Sequence, residues 1–146
     1  MPTTLEEIRD PAAVRACHGL MLQLRPQLGS TELWLARFQR QAAEGYRLFA
    51  LSHDSQPLAL AGFRQQENLV HGRFLYVDDL VTDASARGSH CGSQLMDALK
   101  AEARRLQCGL LVLDSAMGNA LAHRFYYRQG LLAQALRFSI PIAPAL

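Results

Sequence analysis

The sequence predicts an α/β fold, a single domain over residues 1–146 whose mixed sheet is antiparallel in its middle and parallel at one edge. Three observations predict it. Strand-like segments at 46–52, 58–64 and 74–82 follow one another across turn-length connections, the pattern of an antiparallel meander. The third leads through a polar loop and an amphipathic helical stretch into the short apolar run 110–113, and a strand–helix–strand unit sets its two strands parallel. Finally, 146 residues of which 49% are hydrophobic suit one domain, large enough to bury roughly 70% of the surface its unfolded chain exposes.

The elements follow in chain order. Residues 4–9 read as a short edge strand. Asp10 followed by Pro11 is a helix start, a carboxylate N-cap with proline at the first helical position. Val14, Cys17, Met21 and Leu24 recur at helical spacing until Pro26 stops the run. Ser30 or Thr31 caps a second helix in which Trp34, Phe38 and Ala42 share a face, and Gly45 is its C-terminal stop. The hairpin strands 46–52 and 58–64 are joined by 53–57, and a second turn at 65–68 leads to the strand 74–82. Leu95, Leu99, Ala103 and Leu106 form an apolar stripe while Lys100, Glu102, Arg104 and Arg105 face water. Residues 110–113 read as a strand buried on both faces. A helix over 119–129 and a last strand over 131–140 complete the order β-α-α-β-β-β-α-β-α-β, before the proline-broken end 141–146.

The connection after the strand 74–82 is the most informative stretch. It carries Arg87, Gly88, Ser89, His90, Cys91, Gly92 and Ser93, and the next helix begins within it. A helix that starts this way directs unpaired N–H groups and the positive end of its dipole at whatever lies above the loop. Gly88 and Gly92 allow close approach of backbone to an anion, and Arg87 adds a planar donor fork.

This stretch resembles the acetyl-CoA-binding motif of the GCN5-related N-acetyltransferase (GNAT) superfamily, Q/R-x-x-G-x-G/A. Arg87 fills the first place and Gly92 the last, and Asp78, Asp79, Leu80 and Val81 fit the strand that precedes the motif. His90 stands where the motif has its first glycine, and Asp83 near where a proline is common. A second block, Asn119-Ala-Leu-Ala-His-Arg-Phe-Tyr-Tyr-Arg-Gln-Gly, resembles the family's N-x-x-A-x-x-F-Y-x-x-x-G. The element order is that of the GNAT fold, so the resemblance spans the chain while its specific motifs lie in the second half.

The resemblance implies a sheet that splays between the strand ending at Thr82 and the strand starting at Leu110, with pantetheine in the opening. It implies that an irregularity at Leu80, Val81 and Thr82 frees main-chain groups for the pantetheine amides, that the N–H groups of Arg87 to Ser93 hold the pyrophosphate, and that Asn119 contacts the cofactor arm. Tyr126 matches the tyrosine that serves many relatives as general acid at the thioester sulfur. Acetyl transfer to an amine also requires removal of the ammonium proton, directly or through water, which makes a carboxylate near the acetyl group useful. Asp78 and Asp79 are the candidates, with side chains on opposite sides of the strand unless the irregularity redirects both; the resemblance favours Asp78, which corresponds by position to an acidic residue proposed as base in some relatives. Against these roles stand plain alternatives: the two aspartates pair with arginines, and Phe125, Tyr126 and Tyr127 are an aromatic cluster. His123, one turn before Tyr126, is a substrate contact or a polar cap on a packed face.

For the acceptor the resemblance points to the first two helices, their loop and the last hairpin, which supply Arg25, Trp34, Phe38 and Arg137. The carboxylates suit a cationic amine; Arg25 and Arg137 suit an acidic one. The implied activity is acetyl-CoA-dependent N-acetyl transfer to a primary amine of a small molecule or protein, with a homodimer common in the family. Non-catalytic acyl-CoA binding or sensing is the alternative, encouraged by His90, and an unrelated phosphate binder is a third reading that the Asn119 block opposes.

Composition narrows the remaining classes. A formal charge of +2 with both signs interspersed gives no basic face for nucleic acid. Cys17, Cys91 and Cys108 match no metal spacing and suit a reducing cytoplasm. No apolar run approaches the ~20 residues of a membrane span and no signal peptide is evident, so a soluble cytoplasmic protein without a metal is expected.

Overall fold

The computed structural model describes residues 2–144, and the chain divides into two compact units, Met1–Leu113 and Asp114–Leu146. The first unit holds β1 (Thr4–Ile8), α1 (Pro11–Ala16), α2 (His18–Leu24), α3 (Thr31–Ala43), β2 (Arg47–His53), β3 (Gln56–Asn68), β4 (Gly72–Thr82), a single 3₁₀ turn at Ala84–Ala86, α4 (Cys91–Arg105) and β5 (Leu110–Leu113). The five strands form one sheet in the order β1-β2-β3-β4-β5, antiparallel except for the parallel pair β4–β5.

Both faces of the sheet are covered, which is why β2 is buried through its whole centre instead of alternating. Leu48 and Ala50 join Val14, Met21, Trp34 and Phe38 in a core against α1–α3. Phe49 and Leu51 point the other way and pack with Phe63, Leu75, Leu95 and Leu99 against α4. The period of two is intact; each face has its own helices.

Several expectations change in detail. The first helix is two, broken at Cys17, whose side chain is fully buried and whose thiol is pushed up to about 12 by that burial. Caps at Asp10 and Ser30 form as expected, each accepting from the backbone N–H three residues on. The turn expected at 65–68 is strand: Gln65 to Asn68 pair with Leu75 to Gly72, and the hairpin reverses after Asn68, whose Oδ1 accepts from the His71 N–H at 2.7 Å. Polar residues at the end of a hairpin are compatible with solvent-exposed pairing and do not by themselves mark a turn. β5 is an edge strand with Leu110 exposed, not a strand buried on both faces. Glu102, expected to face water, instead joins an ion-pair cluster.

That cluster is centred on Arg47. Its guanidinium donates to both carboxylate oxygens of Glu7 on β1 at 2.8 and 3.1 Å and to Glu102 on α4 at 3.1 Å, while lying over the rings of Phe63 and Phe49. A planar fork can span two carboxylates and stack on aromatics at once, which an ammonium cannot do equally well. Arg47, assisted by Arg9, holds the Glu7 carboxyl down at about 2.

In the second unit α5 (Ala120–Arg128) is formed, with Asn119 as its N-cap. The strand expected over 131–140 is not: these residues form no ladder among the described residues. Leu132, Leu136, Phe138 and Ile140 keep a spacing of two or four and are exposed. Such spacing assigns side chains to a face, but a strand also needs an edge to pair with, and sequence periodicity does not supply one.

Two predictions follow from packing around β1–β4. Gly62→Ala would set a Cβ into the Tyr46 ring, so it should lower stability by about 1–3 kcal/mol. In a denaturation cycle the loss should shrink when Tyr46 is also Leu; an undiminished loss would place the cause elsewhere. Because Glu7 titrates lower when folded, its pairing stabilises the protein above about pH 4.5 and the contribution fades as pH falls toward 2. The stability gap between the native protein and Glu7→Gln should therefore narrow across that window in pH-dependent urea unfolding.

Candidate functional site

β4 departs from regular pairing at one residue. Val77 lies opposite Phe63 and Asp79 opposite Gly62, so Asp78 is an extra residue bulged out of the ladder. The irregularity is thus at Asp78, not at Leu80, Val81 and Thr82, which pair in register with Ala61, Leu60 and Ala59. On its other side β4 pairs with β5 only from Phe74 to Val77. Beyond that point 78–82 have no strand beside them among the described residues, so the sheet opens there because β5 ends at Leu113.

The bulge has a chemical consequence. Strand alternation would send Asp78 and Asp79 to opposite faces, yet both line one pocket of about 240 Å³ together with Arg25, Trp34, Arg37 and Tyr46. Each carboxylate has a guanidinium: Arg64 grips both oxygens of Asp78 at 2.7 and 2.9 Å, and Arg25 donates to Asp79 Oδ1 at 3.0 and 3.1 Å and to the Asp78 carbonyl at 2.9 Å. The arginine pairing weighed as the plain alternative is therefore present. Asp79 Oδ2 accepts from the Tyr46 hydroxyl at 2.7 Å. Burial, and then the adjacent Asp79 carboxylate, raise Tyr46 well above the usual phenol range, so it stays a neutral donor.

Tyr46 reaches Asp79 by passing under β3 at Gly62, the residue opposite Asp79, where any side chain would collide with the phenol. Trp34 and Phe38 are core residues, buried and in edge-to-face contact. Trp34 also lines the pocket, with its indole N–H anchored on the Val14 carbonyl at 2.8 Å.

The glycine-containing loop follows β4 directly. Gln23 of α2 fixes its start, donating to Asp83 at 2.6 Å and accepting from the Ala84 N–H at 3.1 Å. The Ser85 hydroxyl, then Gln23, lower the Asp83 carboxyl. Gly88 has φ +86°, and His90 adopts the left-handed conformation, φ +65° and ψ +15°, as N-cap of α4. His90 therefore does the conformational work of the motif's glycine, a conformation less costly for histidine than for a branched residue. Its side chain makes no cap hydrogen bond, and the first helical bond runs from Gln94 N–H to the His90 carbonyl. His90, Cys91 and Gly92 precede that bond, so their N–H groups point outward along the axis. Ser89 turns back onto the Ala86 carbonyl and contacts the Cys91 sulfur, which is buried as a filler. This helix end fits a diphosphate: its donors are main-chain groups left without a side-chain cap, and Arg87 stands beside them.

In the second unit Asn119 Oδ1 caps α5 by accepting from Ala122 N–H at 3.2 Å. His123 Nε2 is 2.9 Å from the Ala116 carbonyl, so part of its hydrogen-bonding capacity serves the helix entry. Tyr126 is half-buried, edge-to-face with Phe125, and burial raises its phenol above the usual range. Arg137 pairs with Asp114 at 3.0 Å. Sequence reasoning did not single out Tyr46, Arg64 or Arg37. Gly62, alone inside an apolar strand, was the one available sign that another group comes close there.

Residues 14–131 match the model of the acetyltransferase (GNAT) family. The uncharacterized N-acetyltransferase YhdJ of Bacillus subtilis is 32% identical over 127 residues, 86% of this chain and 89% of that protein. Among solved structures, the aminoglycoside N-acetyltransferase AAC(6')-Iy in complex with CoA superposes with a TM-score of 0.84 at 16% identity, covering 97% of this chain and 96% of that one. Glucosamine-6-phosphate N-acetyltransferase of Arabidopsis thaliana has a TM-score of 0.72 at 16% identity, covering 98% of this chain and all of that one. With the bulged β4, the opened sheet and the uncapped start of α4 already in place, these matches identify the chain as a member of the GNAT acetyltransferase family, an acetyl-CoA-dependent N-acetyltransferase.

Proposed function

We propose that this enzyme moves the acetyl group directly onto a primary amine bound in the pocket beside Asp78 and Asp79. The observation that carries this is the bulge, which brings two carboxylates to one pocket where β4 loses its β5 neighbour. Acetyl-CoA supplies an activated thioester; the chain's own residues hold it, hold the amine and move protons. N–H groups of His90, Cys91 and Gly92, with Arg87, Gly88, Ser89 and Ser93 around them, take the diphosphate. The open side of Leu80, Val81 and Thr82 takes the pantetheine amides as an added strand would. Asn119, already an N-cap, is kept as a contact to the cofactor arm on the strength of the second motif.

Between the two carboxylates, Asp79 is the better acceptor for the amine proton. Both oxygens of Asp78 are taken by Arg64 in a bidentate pair, whereas Asp79 Oδ2 faces only a neutral phenol. A substrate ammonium can share Oδ2 with Tyr46 and transfer its proton there, leaving a neutral nucleophile. Tyr126 is assigned the proton that the departing thiolate takes up; the second motif and its phenol, neutral at physiological pH, support that role. His123 is assigned to acceptor contact through its place one turn before Tyr126. Residues 14–131 of the family match span both units, which supports reading them as one catalytic domain. Free thiols at Cys17, Cys91 and Cys108 support a reducing, cytoplasmic setting. Among the described residues, no helix is long and apolar enough to cross a membrane.

Turnover on an amine panel, followed by thiol release, tests the assignment. Asp79→Asn and Tyr126→Phe should each lower kcat by roughly 10²–10⁴-fold, the usual worth of a positioned acid or base. Asp78→Asn should cost less than Asp79→Asn; the reverse ranking would move the base to Asp78. Replacing His90 with Gly relieves a left-handed residue, so stability should rise by about 0.5–1 kcal/mol with CoA affinity retained. Loss of CoA binding in that variant would show that the imidazole, not the backbone, holds the cofactor.

A further inference from the structure

The pocket's charge balance bears on which amine it takes, a question that rests on the acetyl-transfer reading above. Four charged residues line it: Arg25, Arg37, Asp78 and Asp79. Asp79 is paired with Arg25 at 3.0 Å, and Asp78 with Arg64 at 2.7 Å. Arg37 is the charge left over. It lies on α3, exposed, and makes no ion pair among the described residues. Trp34, Arg37 and Gln41 recur at helical spacing and all line the pocket, so one face of α3 forms a wall of it. The neutral donor–acceptor Gln27 also lines the pocket.

We propose that the acceptor is an amine that also carries an acidic group, a carboxylate or a phosphate, and that Arg37 is the residue that selects it. With each aspartate matched by its own arginine, the pocket with Arg64 behind it carries a net positive charge. A purely cationic amine leaves Arg37 unmatched and adds a like charge to the site. An acid-bearing amine places its ammonium at Asp79 Oδ2 and its anion at Arg37, where a guanidinium can meet two oxygens at once. Gln27 and Gln41, which line the same pocket, offer further neutral donors and acceptors.

The test uses the chain's single tryptophan, which lines this pocket. In titrations followed by Trp34 fluorescence, an amino acid should bind about 10-fold more tightly than its amide, a gap of one charge-assisted contact. An aminoalkyl phosphate should behave like the amino acid if the anion as such is read; a carboxylate-only response would restrict the class. Arg37→Gln should bring the acid-to-amide ratio close to one, and Arg37→Lys should keep part of it, because the charge remains while the fork is lost. Equal binding of acid and amide by the native protein, or an unchanged ratio in Arg37→Gln, would overturn the inference. The transfer reading is judged separately by thiol release: turnover on amides as fast as on acids would sink the acid preference and leave acetyl transfer standing, whereas selective binding of acids with no turnover on any amine would do the opposite.

Discussion

One extra residue in β4 governs the arrangement of the site. Without the bulge at Asp78, strict alternation would put Asp78 and Asp79 on opposite faces of the sheet, one among the helices α1–α3 and one toward α4. With it, both reach a single pocket. A bulge leaves local backbone groups unpaired by the ladder, and here the Arg25 guanidinium takes up the Asp78 carbonyl while also holding the Asp79 carboxylate. The bulge and the pocket charge are thus stabilised by the same side chain.

The neighbouring contacts extend that dependence across the fold. Tyr46 at the entry to β2 can reach Asp79 only because residue 62 lacks a side chain. The phenol in turn packs edge-to-face on Phe38, which packs on Trp34, so the carboxylate's position is tied to the helical core and the pocket wall together. Buried polar groups are costly when half satisfied. Asp79 is satisfied on both oxygens and Tyr46 on its hydroxyl, which lets a carboxylate sit at this depth. On the proposed reading, a substrate ammonium approaching Oδ2 would meet an oxygen already oriented by a neutral donor.

The cofactor end follows a different logic. At the start of α4 the groups proposed to take the cofactor are main-chain donors, so the side chains that matter on that reading are those whose conformation presents the backbone. Gly88 and His90 both adopt positive φ. His90 reaches this conformation as a non-glycine residue, and the absence of a side-chain cap leaves the helix end open. The departure from the family motif at this position therefore changes the residue and keeps the backbone geometry, which removes the ground it had offered for a purely sensing role.

Much of this was legible in the chain itself. The apolar period, the caps at Asp10 and Ser30, the stop at Gly45 and the strand–loop–helix unit are local properties, and local chemistry settles them. The two motifs pointed to the loop 87–93 and to Tyr126 because they encode short-range geometry. Tertiary structure decided what depends on partners distant in sequence. It placed the bulge at Asp78 and not at 80–82, since a bulge is defined by register against another strand. It paired Asp78 with Arg64 and Asp79 with Arg25 and Tyr46, across separations of 14, 54 and 33 residues that no periodicity encodes. It also turned residues 65–68 into strand and left 131–140 without one, because a strand exists only where an edge is available to pair with it.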